Sequence, residues 1–235
     1  MTSHKSAART VGVLMLMQMP IAPVVNFALL GPATAPPGFL ANAAAHCAQV
    51  TTAVLLLLVG GAISLGIAVT AFPVIRQYSR PMALWYLALA VTGVAGLLAE
   101  GLALRSMLSL SQQYVGANPA NAAALEALGP WVRSVWTSAH FTNFLLAGAA
   151  GLVLYGALFR FALVPRALAA FGVLTVLLLI AGALIPLFGR PTVMLLFMPM
   201  GLSELALMLW LLVRGFREGT PAPAAEVRRA QLSMA

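Results

Sequence analysis

Six apolar runs dominate the chain: Thr10–Leu30, Val50–Val74, Met82–Ser109, Trp131–Phe159, Leu168–Leu187 and Thr192–Val213. Crossing about 30 Å of hydrocarbon takes about 20 helical residues. The spacing therefore predicts an all-α fold, a polytopic bundle of six transmembrane helices. The short polar connections leave little room for a soluble domain. Residues 1–214 read as one membrane domain and 215–235 as a basic, disordered tail.

Only 8% of the 235 residues are charged, against 62% hydrophobic. A soluble domain of this size carries about 25% charged residues. A net charge of +8 raises the question of a nucleic-acid partner, but the placement of the charges excludes that class. Lys5 and Arg9 precede the first span, Arg76 and Arg80 follow the second, and Arg160 and Arg166 follow the fourth. Arg214, Arg217, Arg228 and Arg229 follow the sixth, whereas Arg105, Arg133 and Arg190 fall on the opposite side. With both termini inside, ten of the thirteen basic residues face the cytoplasm. This is the positive-inside pattern, and it predicts an N-in/C-in protein of a bacterial inner membrane.

Lys5 and Arg9 ahead of Val11–Leu30 also fit a signal peptide, with Ala41-Asn42-Ala43 as a small-residue cleavage site. The apolar stretch is long for that role and the site lies well beyond it, which favours a retained helix. Pro20 and Pro23 each remove a backbone donor and should kink it. Gly31–Asn42 reads as an outer loop and Gln112–Ala127 as the longest connection, with Asn118-Pro119 as its turn. The fifth span has Thr175 as almost its sole polar side chain, which predicts a peripheral helix facing lipid. Glycines within the spans, among them Gly61, Gly93, Gly96, Gly148 and Gly151, fit close helix packing.

Ionisable groups in hydrocarbon cost at least a few kcal/mol and face protein or water. Three stand out. At about 1.5 Å per residue, Glu204, ten residues from Arg214, lies about 15 Å deep. Glu100 and His140, each twenty residues from a basic boundary (Arg80 and Arg160), both lie at about 30 Å. They therefore share a level on antiparallel neighbours. Gln18 is level with Glu204 and Asn26 nearly level with Glu100. Around His140 run Arg133, Trp136, Asn143 and Phe144, a mixed polar and aromatic stripe. Together these predict a pocket that opens outward, with Glu100, His140, Asn26, Arg105 and Arg133 at its mouth and Glu204 with Gln18 at its floor. The alternative is that the carboxylates pair with an arginine or His140 and simply lock helices together.

Several chemistries compete. A carboxylate and an imidazole at one level form an acid–base pair. His46 and His140 invite bis-imidazole haem ligation, but His46 lies thirty residues from Arg76, about 45 Å out, and misses the level of His140. Met15, Met17 and Met19, with Met194, Met198 and Met200, suggest Cu(I); spacing of two spreads the first three around their helix. No metal site is assigned, no cofactor is named, and Cys47 alone forms no intrachain disulfide. Glu204 beside the Pro199 break also suits a proton-coupled transporter, more so if the chain forms a homo-oligomer.

Ala8-Arg9-Thr10-Val11-Gly12-Val13-Leu14, Leu163-Val164-Pro165-Arg166-Ala167-Leu168-Ala169, Gly201-Leu202-Ser203-Glu204 and Trp210-Leu211-Leu212-Val213-Arg214-Gly215-Phe216 carry a resemblance. Through them the chain resembles the bacterial membrane family known as domain of unknown function 4386. The resemblance implies a six-span bundle with a polar residue at the Glu204 position and implies no activity. The Met-rich first span is unusual for that group. The resulting expectation is a cavity that binds or transforms a small apolar or lipid-like molecule, with Glu100, His140 and Glu204 as its chemical groups and membrane lipids around it. The rival is a non-catalytic scaffold or regulatory partner working through its basic tail.

Overall fold

A computed structural model describes residues 2–217. Among these the secondary structure is helical, without a strand. Inside a bilayer this is the expected answer, because a helix satisfies its own backbone groups where no water can. Six helical segments, Lys5–Thr34, Cys47–Arg76, Arg80–Val115, Pro119–Arg160, Arg166–Leu187 and Met194–Val213, are long and apolar enough to cross a membrane. Of the tail 215–235, expected as disordered, residues 218–235 lie outside the described residues.

The first segment is broken where the prolines require it. Helix α1 (Thr2–Gln18) stops at Pro20, and the chain resumes as α2 (Ile21–Pro23), a π-helical stretch (Val24–Leu29) and α3 (Leu30–Thr34). A proline nitrogen has no hydrogen to donate. A wider π turn is a common way to absorb such an interruption. A short helix α4 (Phe39–Asn42) then leads to α5 (Cys47–Arg76), α6 (Arg80–Val115), α7 (Pro119–Arg160), α8 (Arg166–Leu187) and α9 (Met198–Val213).

Two expectations are corrected here. Gln112–Ala127 is not a loop: α6 and α7 run through it and leave only Gly116, Ala117 and Asn118 between them. Asn118 caps α7, its side chain accepting from the Asn121 backbone N–H at 3.0 Å, and Pro119 follows at the first helical position. The same dipeptide that marks a turn also starts a helix. Nor is α8 peripheral. Its apolar stretch is the most buried of the six, and Thr175 is wholly enclosed. Its short residues explain this: Gly172 receives the Tyr155 ring so closely that a Cβ would lie 2.1 Å from it, and on α7 Gly148 faces Ile180 the same way at 2.5 Å.

Each long helix packs against its sequence neighbours, and α1 also packs against α9, so the bundle closes into a ring of six. Side chains fill this ring as two separate clusters. One occupies the basic end and draws on all six, including Val11, Ile67, Tyr86, Tyr155, Val176 and Leu207. The other, at the opposite end, draws on α3 to α7, including Leu30, Phe39, Val50, Leu104 and Val132. It contains nothing from α8 or α9, which span 22 and 16 residues against 36 and 42 for α6 and α7. The bundle therefore has a step where the short helices end, between the two clusters.

Candidate functional site

Glu100 projects from the middle of α6 and is only 2% exposed. Its Oε1 lies 2.6 Å from Nδ1 of His140 on α7. Its other oxygen, Oε2, accepts from the Asn143 side-chain amide at 3.3 Å. His140 and Asn143, three residues apart, share one face of α7, so one carboxylate engages both. The close approach depends on Gly96, one turn below Glu100. A Cβ there would meet Asn143 Oδ1 at 3.1 Å and Leu146 Cδ1 at 3.0 Å.

Aromatic rings enclose the imidazole. Trp136 stacks on it at 5.4 Å between centroids, while Phe141 and Phe144 present edges at 5.1 and 4.9 Å. Phe197, just before α9, packs against Phe144 at 5.3 Å and against Phe141 at 6.4 Å. It closes the box from the side of the short helices. A hydrogen bond between Nδ1 and Oε1 holds one proton between the two residues. Nε2 is then the free ring nitrogen: no described residue bonds to it. The His140 side chain keeps 14% of its surface exposed.

The family-model comparison matches residues 10–215 to a domain of unknown function, DUF4386. The chain belongs to the DUF4386 family. The match begins within the first span and takes in all six. No curated protein and no solved structure matches this DUF4386 chain.

The remaining residues of the expected pocket are distributed differently. Gln18 donates to Ser64 Oγ at 2.7 Å and ties α1 to α5. The Asn26 amide donates to the Ala22 carbonyl within its own π-helical segment. Arg105 reaches Thr51 on α5 at 3.3 Å. Arg133 is exposed one face-repeat outward of His140. None of the four bonds to the dyad. Glu204 lies within electrostatic reach of the Tyr86 and Tyr155 hydroxyls, and no described residue hydrogen-bonds or pairs with it. Phe197 is seven residues outward of Glu204 on the same face, so the aromatic box stands about 10 Å above that carboxylate. Two surface hollows lie elsewhere, at the basic end.

Phe141 and Phe197 belong to the box and escape a search by helical face. Phe141 is adjacent to His140 and so points about 100° away. The signal for Phe197 is depth: it lies seventeen residues from Arg214, as Phe144 lies sixteen from Arg160. One residue before Glu204, Ser203 hydrogen-bonds with Thr175 at 2.8 Å between α9 and α8, with Met200 Sδ beside both hydroxyls. No three His, Cys, Asp or Glu side chains come together among the described residues.

Proposed function

We propose that this DUF4386 protein is an N-in/C-in protein of a bacterial inner membrane that binds, or chemically transforms, a small and largely apolar molecule reaching His140 from the outer leaflet. The observation that carries the reading is the Glu100–His140 contact of 2.6 Å, which leaves Nε2 unbonded on a ring packed by Trp136, Phe141 and Phe144, with Phe197 behind the two phenylalanines. A carboxylate at Nδ1 fixes the ring orientation and favours the tautomer with its lone pair on Nε2. Nε2 then serves as general base or hydrogen-bond anchor for one polar group, such as a hydroxyl. The rings supply apolar surface for the rest of the molecule, as ligand sites usually do. Glu204, deeper and unpaired, is the second carboxylate available to a ligand long enough to pass Phe197.

Mass spectrometry of organic extracts from the purified protein tests this. A small apolar compound should be enriched in the wild type and depleted about tenfold in His140→Gln, the loss expected for one hydrogen bond to an imidazole anchor. Identical extracts from two folded, monodisperse preparations would remove the proposal.

A further inference from the structure

Lys5 and Arg9 lie one turn apart on α1, and both line two adjoining hollows at the basic end of the bundle. The larger, about 520 Å³, is completed by Ser6, Thr10, Val13 and Leu14. The smaller, about 60 Å³, is completed by Val213, Arg214 and Gly215. Close packing brings α1 and the end of α9 together. Gly12 lies so near Leu212 that a Cβ would sit 2.8 Å from its side chain. Gly215 turns with φ of +76°, and a Cβ there would lie 3.7 Å from Ala8 and from the Lys5 side chain.

Three cations thus line one hollow, and no carboxylate among the described residues pairs with them. No hydrogen bond or ion pair engages the side chains of Lys5, Arg9 or Arg214 among the described residues. Other arginines at this end lie over rings instead, Arg76 over Phe72 and Arg217 over Trp210. Every described carboxylate is elsewhere: Glu204 is ten residues inward of Arg214, and Glu100 and Glu126 belong to the opposite half. The three cations are exposed beside the apolar surface of the bundle, where an anion at the membrane surface can reach them.

The larger hollow also states which anion. Along α1 its wall alternates cations (Lys5, Arg9) with hydroxyls (Ser6, Thr10) and then turns to bare hydrocarbon (Val13, Leu14), over about 13 Å in all. A charged, hydroxylated end followed by hydrocarbon matches the polar head and the acyl chain of a phospholipid. We infer that Lys5, Arg9 and Arg214 form a site for the phosphate of an anionic phospholipid, whose chain runs along Val13 and Leu14. The site is independent of His140 and stands or falls separately from the proposed function.

The test is thermal unfolding of the purified full-length protein in a zwitterionic detergent, titrated with phosphatidylglycerol, phosphatidylcholine or inorganic phosphate. Phosphatidylglycerol should raise the midpoint and phosphatidylcholine should not. Each of Lys5→Gln, Arg9→Gln and Arg214→Gln should weaken the phosphatidylglycerol response about fivefold in half-saturating concentration, at about 1 kcal/mol per charge. Arg9→Lys should retain most of it, and Arg190→Gln, at the other end, should retain all of it. Val13→Asn should weaken the lipid response with every charge in place. Equal shifts with the two lipids, or an unaltered response in the charge variants, would overturn the site. A full response to millimolar inorganic phosphate would overturn its assignment to a lipid.

Discussion

Nδ1 of His140 and Oε1 of Glu100 approach to 2.6 Å although forty residues separate them in the chain. Both are placed by the antiparallel pairing of α6 and α7, and neither is free to turn away: one carboxyl oxygen is held by the histidine and the other by Asn143. Such a contact in a membrane interior has a measurable coupling. A cycle of Glu100→Gln, His140→Gln and the double variant, followed by denaturation in detergent, should give an interaction energy of about 1–3 kcal/mol. Additive effects would mean that the two side chains merely lie side by side.

Gly96 sets the distance across that pair. Gly96→Ala places a methyl 3.1 Å from Asn143 Oδ1 and 3.0 Å from Leu146. Overpacking of this kind costs about 1–3 kcal/mol. Gly93, one turn inward on α6, has nothing within 4 Å of the same construction. Gly93→Ala should leave stability unchanged or raise it by up to about 1 kcal/mol, since alanine is the better helix former. Asn143→Ala should relieve part of the Gly96→Ala penalty. Equal behaviour of the two alanine variants would show that α6 and α7 can slide apart at no cost.

The six spans were readable because apolar length is an additive property of a segment, and the level of Glu100 and His140 followed from helical rise counted from basic boundaries. What remained hidden depends on side-chain volume and on partners far along the chain. An α8 with almost no polar side chain looks lipid-facing, yet Gly172 and Gly182 let α7 and the segment just before α9 press against it. Gln18 shares a level with Glu204 but meets Ser64 first, because α1 packs on α5 and depth says nothing of azimuth. Asn118-Pro119 marks the right place under the wrong heading: the dipeptide ends one helix and opens the next within three residues.

Asn118 offers a direct check of that continuity. Its side chain supplies the acceptor for the Asn121 N–H at the start of α7. Asn118→Ala should lower stability by about 1 kcal/mol, and Asn118→Ser should restore most of it. Hydrogen exchange over residues 119–127 should be protected in the wild type and faster in Asn118→Ala. Fast exchange in both would mean that this stretch is the open connection its polarity suggests.

Tyr155 and Gly172 provide the severest test of how α8 is seated. The ring of Tyr155 occupies the space a side chain at 172 would take, with Cδ1 and Cε1 both 2.1 Å from the added methyl, and Tyr155 is 2% exposed. Neither the ring nor the backbone of α8 can yield without parting the helices. Gly172→Ala should therefore cost more than the about 1–3 kcal/mol of ordinary overpacking and reduce the folded yield sharply. Removing the obstacle should reverse this: Tyr155→Leu with Gly172→Ala should be better folded than Gly172→Ala alone, although Tyr155→Leu by itself leaves a cavity and destabilises. Sign reversal of that kind requires that the two positions be energetically coupled, as residues in contact are. If Gly172→Ala elutes and melts like the wild type, α8 does not rest against the Tyr155 ring, and its seating against α7 is wrong.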